Sequence, residues 1–138
     1  MSFRSLFRLS SHSDDGLTQS EREAIVDVLH YCMFADKHIA TTEDDLIEAA
    51  ARTFNWDPKV SYEYYEGKST GMVRAALADA YSRVTFLTDL NSRLGNQAKL
   101  IALQLAERVI NADGVRRTEE LEAMEALRKA LSLTPGQR

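Results

Sequence analysis

Two stretches of this chain, ADKHIATTE at 35–43 and ADGVRRTEE at 112–120, lie in one register: a shift of 77 residues carries Asp36 onto Asp113 and Glu43 onto Glu120 without a gap. The same shift puts Val26 on Leu103, Met33 on Ile110, Ala35 on Ala112, Ile47 on Met124 and Ala50 on Leu127. Apolar residues meet apolar residues on both sides of the turn, so the repeated unit is a helix, an acidic turn and a second helix. Two copies specify a pseudo-symmetric domain rather than a solenoid, which needs more units to bury a continuous core.

The remaining chain reads as helical too, with almost none of the alternation a strand requires. A first helix is expected to begin near Thr18 or Ser20, where Ser20 and Glu23 form a capping-box pattern. Ile25, Leu29, Cys32 and Met33 then share one face. That placement makes Cys32 a core residue, and a single cysteine cannot form an internal disulfide. A second helix is expected from Thr42, with Leu46, Ile47, Ala50 and Phe54 turned inward. Asp57-Pro58 is the start pattern of a third, the proline suiting the first helical position, and Gly67 is expected to close it. Ser69 or Thr70 can cap the next, which carries Val73, Ala76, Leu77, Ala80, Val84 and Leu87 until TDLNS at 88–92 breaks it. Leu94, Ala98, Ile101, Leu105 and Val109 line a long helix, and a last one runs from Thr118 with Leu121, Met124, Leu127 and Leu131 until Pro135-Gly136. The expected fold is therefore all-α: a compact bundle of about six to seven helices containing an internal pseudo-two-fold duplication. Residues 1–17 read as an N-terminal tail, 18–134 as a single helical domain and 135–138 as a C-terminal tail.

Composition narrows the function. At 138 residues, 44% hydrophobic and 28% charged, the chain has the make-up of one globular domain. A formal charge of −4 without a basic stripe argues against nucleic-acid binding, because phosphate neutralisation requires clustered Lys and Arg. No apolar run approaches a membrane span. The segment MSFRSLFRLSSHS is basic, serine-rich and free of acids until Asp14. It has some character of a transit peptide or a membrane-surface anchor, but it lacks the apolar stretch of a secretory signal. Docking of Phe3, Leu6 and Phe7 on the domain is the favoured reading. A cytoplasmic location is expected, or one peripheral to the inner face of the membrane.

The acids of the two turns are not equivalent. Glu43 and Glu120 fall in the first turns of their helices, where the macrodipole favours a carboxylate. Asp36 and Asp113 follow the ends of the preceding helices, where the dipole opposes one by a few tenths of a kcal/mol up to about 1. An Asx-type bond to the turn backbone, a neighbouring Lys37, Arg116 or Arg117, or a bound cation could each compensate. One turn offers too few oxygens for Ca²⁺ or Mg²⁺, whereas two turns brought together offer four carboxylates.

The two A-D turns, each with Glu seven residues after the Asp, resemble those of the TerB-like family of bacterial tellurite-resistance proteins. The family turn reads roughly A-D-G-x-[apolar]-x-x-x-E. Here Ala112, Asp113, Gly114 and Glu120 match it in one copy, and Ala35, Asp36, Ile39 and Glu43 in the other. The resemblance spans roughly residues 20–133. It implies an all-helical, duplicated domain in which Asp36, Glu43, Asp113 and Glu120 bind a divalent metal ion: Ca²⁺, Mg²⁺ or Mn²⁺ before Zn²⁺. It also implies service in tellurite or stress resistance or in envelope-associated complexes, with a protein partner that could itself be membrane-associated. Lys37 in place of the family glycine, and Arg116 in place of the apolar residue, each put a cation beside the acids and could replace a metal as counter-charge.

The other chemistry is sparser. Trp56, Tyr62, Tyr64 and Tyr65, with Phe54, make an aromatic group that can serve either as core or as a docking surface for a protein partner. Asp27-x-x-His30 puts two metal-ligating groups on one helix face as di-metal bundles do, but only one such pair exists, so a surface pair is the expectation. No P-loop, dinucleotide fingerprint, nucleophile elbow or zinc-spaced Cys/His set occurs, and no enzymatic activity or organic cofactor is expected. The rival to a metal-binding module is a metal-free structural adaptor using its helical faces and the Tyr-rich middle segment. A metal-dependent hydrolase built on the acidic cluster is a weaker third.

Overall fold

A computed structural model describes residues 16–35, 41–111 and 118–131, with the backbone alone for 41–44 and for 119 and 120. Six helices and no strand lie among the described residues: α1 (Gln19–Phe34), α2 (Thr41–Thr53), α3 (Tyr62–Ala76), α4 (Ala80–Arg93), α5 (Asn96–Ile110) and α6 (Thr118–Ala130).

Apart from Asp27 and His30, the run AIVDVLHYCMF is apolar on every side of a helix, and every residue from Ala24 to Phe34 is buried. A helix without a polar face must lie at the centre of its domain. α1 does so, touching all five other helices and packing most extensively on α5. Leu29, Met33, Ile47, Leu90, Leu105 and Leu127 are among the fully buried side chains of the shared core. Cys32 is buried there as its spacing requires. A smaller cluster of Val26, Ala51, Tyr62 and Tyr65, with Trp56, Val60 and Met72 against it, joins α1, α2 and α3.

Several boundaries differ from those the local patterns suggest. α1 starts from Thr18, the earlier of the two expected starts and two residues before a Ser20–Glu23 box would place it. Thr18 is the N-cap: its side chain accepts from the Glu21 N–H at 3.1 Å, and the Glu21 carboxylate accepts from the Thr18 N–H at 3.0 Å. Gly16, at φ 76°, turns the chain into this cap. Replacing Thr18 by alanine is expected to cost about 1 kcal/mol, read as a lower urea midpoint with an unchanged slope.

Asp57-Pro58 does not start a helix. Asp57 instead closes a turn, its side chain accepting from the Lys59 N–H at 2.9 Å and its carbonyl from the Val60 N–H at 2.9 Å. Ser61 then caps α3. Gly67 does not end α3, which runs on to Ala76 because Ser69 and Val73 are buried and hold the helix in place. The next break falls at 77–79, where Asp79 caps α4 by accepting from the Ser82 N–H at 2.7 Å. TDLNS remains helical, since the Ser92 hydroxyl bonds back to the Asp89 carbonyl at 2.8 Å instead of capping a new helix. Among the described residues no helix is long and apolar enough to cross a membrane.

Candidate functional site

The four acids singled out in the sequence divide into two kinds. Asp36 and Asp113 lie outside the described residues, while Glu43 and Glu120 are each the third residue of their helices, α2 and α6, with undescribed side chains. Helices opening at Thr41 and Thr118 give both glutamates the same first-turn position. Carboxylates as a class are oxygen donors, the ligand type that hard cations such as Ca²⁺ and Mg²⁺ take. Among the described residues, no three His, Cys, Asp or Glu side chains come together as a metal site.

The aromatic group is split by burial. Tyr62 and Tyr65 are buried and Trp56 is half-buried, its indole Nε1 donating to the Val60 carbonyl at 2.8 Å. Trp56 meets the Tyr62 ring edge-on at 5.5 Å and the Tyr65 ring at 6.0 Å. Tyr64 alone of the four is turned out, at 72% exposure. A cleft of about 580 Å³ opens beside this cluster, lined by Phe54, Trp56 and Tyr62 with Arg52, Asn55, Ala51 and Glu63. Arg52 stands over the Tyr62 ring at 5.9 Å and pairs with Glu48 at 2.8 Å and Glu63 at 3.1 Å. Exposed pairs of this kind contribute little to stability, so Arg52 can exchange partners at small cost.

Asp27 and His30 are not on the surface. Both are fully buried, and they organise a polar network between α1, α3 and α4. The Asp27 carboxylate accepts from Ser69 Oγ at 2.6 Å, from the Tyr65 hydroxyl at 2.9 Å and from Arg93 Nη1 at 2.9 Å. His30 Nδ1 lies 2.9 Å from Ser69 Oγ. Ser69 has one proton and gives it to the carboxylate, so His30 must donate from Nδ1, leaving a lone pair on Nε2. That Nε2 is buried with no hydrogen-bond partner among the described residues. Burial raises the Asp27 pKa, with the bonds from Ser69, Arg93 and Tyr65 opposing. Burial also lowers His30 to about 4. Tyr65 is pushed up by burial and by the Asp27 charge. For Arg93, burial works against the charge, but the bonds to Tyr65 and Asp27 outweigh it and hold the guanidinium protonated.

Asp27, Ser69 and His30 are the residue types of a hydrolytic triad in a different order. In that machinery the imidazole stands between the carboxylate and the hydroxyl and takes the serine proton. Here the serine stands in the middle and its proton is committed to the carboxylate. All three side chains are sealed from solvent. The geometry suits a polar clamp between helices. Ser69, offered by the sequence as a helix cap, lies instead inside α3, and Arg93 belongs to no motif. The one signal of the network is a lone Asp and a lone His inside the otherwise apolar run of α1, groups that burial obliges to find partners.

The chain matches no model of a known protein family, no curated protein and no solved structure.

Proposed function

We propose that this chain is a non-catalytic, TerB-like helical module that binds a divalent cation through Asp36, Glu43, Asp113 and Glu120. Such a module would serve in bacterial tellurite or stress resistance or in an envelope-associated complex with a protein partner. One observation carries the reading. The 77-residue register that aligns the acidic turns also carries the first residue of α1 onto the first of α5 and that of α2 onto that of α6. Buried positions follow the same register: Val28 with Leu105, Leu29 with Ala106, Cys32 with Val109, Ile47 with Met124, Ala50 with Leu127 and Phe54 with Leu131. Agreement of helix bounds and core faces supports descent of the two halves from one helix–turn–helix unit, and with it equivalent roles for the two turns.

Titration calorimetry with Ca²⁺, Mg²⁺, Mn²⁺ and Zn²⁺ tests it on the full chain. Saturable binding of one of the first three is expected, weakened at least tenfold in the Asp36→Ala/Asp113→Ala double variant. Equal weak heats from both proteins would sink the cation site and leave the second reading, a metal-free adaptor. That reading rests on the cleft at Trp56 and Tyr62, where an aromatic wall and an exchangeable Arg52 suit a peptide side chain of a partner protein.

A further inference from the structure

The groove between α3 and α4 is an apolar surface with no role in the cation site or in the aromatic cleft. Met72 and Ala75 of α3 line it opposite Tyr81, Thr85 and Phe86 of α4, around a volume of about 440 Å³. Among the described residues its wall carries a single charged one, Asp89, at its end along α4. Tyr81 is 82% exposed and stands at the other end of this wall.

The start of α1 lies at the Asp89 end. Arg93 reaches the Asp89 carboxylate at 3.3 Å with one guanidinium nitrogen and the Ser20 carbonyl at 3.4 Å with the other. The chain upstream of Ser20 therefore sets out from the acidic end of the groove. That upstream segment carries Phe3, Leu6 and Phe7 at helical spacing, together with Arg4 and Arg8, and no acid before Asp14. From Tyr81 to Asp89 the α4 wall is about 12 Å long, close to the length of Phe3–Leu9 as two helical turns. Residues 10–15 can span up to about 20 Å between them and Gly16.

We propose that the N-terminal segment Phe3–Leu9 of the same chain occupies the α3–α4 groove, with its apolar side chains against Met72, Tyr81 and Phe86 and its arginines toward Asp89. Tethering favours this occupant over a separate partner, because a short linker holds the segment at an effective concentration of the order of millimolar. The basic, apolar segment is then kept from membranes and from other chains while it is docked.

Trypsin cleavage after Arg4 and Arg8 of the full chain, followed by mass spectrometry of the N-terminal fragments, tests the proposal. Cleavage is expected to be at least tenfold slower than in a free peptide of residues 1–15. It should approach the peptide's rate in Ala75→Arg and in Thr85→Arg, which fill the groove and repel the arginines. Both positions are exposed, so the variants keep the helical circular dichroism of the parent. Cleavage of the parent at the peptide's rate, or undiminished protection in both variants, would overturn the proposal. Protection that rises with protein concentration would overturn it in favour of a second copy. Protection found only with phosphatidylglycerol vesicles would overturn it in favour of a membrane surface.

Discussion

Asp27→Ala is expected to destabilise the domain by about 3–5 kcal/mol, measured as the loss of unfolding free energy in urea. The magnitude comes from what the substitution leaves behind rather than from the worth of the ion pair itself. Ser69, Tyr65 and Arg93 all donate to this carboxylate, and its removal strands them in the core. An unpaired buried donor costs about 1–3 kcal/mol, and a charged one costs more. Arg93 retains 21% side-chain exposure and can recover part of its solvation, which keeps the total within that range. Asp27→Asn is expected to recover less than half of the loss. Every neighbour of the carboxylate is a donor, so the amide NH₂ would face another N–H or O–H. A loss below about 1 kcal/mol in Asp27→Ala would mean that the network is incidental to the packing of α1 on α3 and α4. Because a large share of a typical domain's stability is at stake, the Asp27→Ala protein should also show early thermal unfolding.

Acidification from neutral pH to about pH 4 is expected to remove stability through His30, on the order of 3 kcal/mol from that residue alone. His30 is lowered from 6.5 to about 4 by burial. Below pH 6.5 the unfolded chain takes up a proton that the folded chain refuses until about pH 4, so protons favour unfolding throughout this window. Asp27 acts in the opposite sense. Its raised pKa means that, above 3.8, the folded state holds a carboxyl proton the unfolded state has released, so acidification through that range adds some stability. The net fall in the parent protein is therefore smaller than the His30 contribution, and a comparison isolates the latter. In His30→Asn, where the amide NH₂ can donate to Ser69 in place of Nδ1, urea midpoints should decline less between pH 6.5 and 4 than in the parent. Parallel curves would assign the acid sensitivity to other groups.

Much of the fold is legible in local patterns. The all-helical class, the start of α6 at Thr118 and the core position of Cys32 all follow from apolar spacing, because a helix's buried face repeats every 3.6 residues whatever it packs against. The boundaries around α3 and α4 are not legible in the same way. Asp57-Pro58 and Gly67 carry start and stop chemistry that the chain does not use, since burial of Tyr65, Ser69 and Val73 on α1 outweighs the roughly 1 kcal/mol a mid-helix glycine costs. The aromatic segment divides for a similar reason. Tyr62 and Tyr65 are three apart and share the inward face, whereas Tyr64 points away from it.

The sequence by itself determined the helical class, the 77-residue register and the acids that follow it, because periodicity and register are properties of one dimension. Only the tertiary structure decided the environment of Asp27 and His30. As an i, i+3 pair on one helix they could face water or protein. Their burial follows from α3 and α4 closing over α1 and delivering Ser69, Tyr65 and Arg93 from 38 to 66 residues away. At the corresponding register in α5, Gln104 and Glu107 remain exposed, since α5 keeps one face to solvent. α1 and α5 share the 77-residue register, yet their unequal surroundings make α1 alone of the two the carrier of a buried polar clamp.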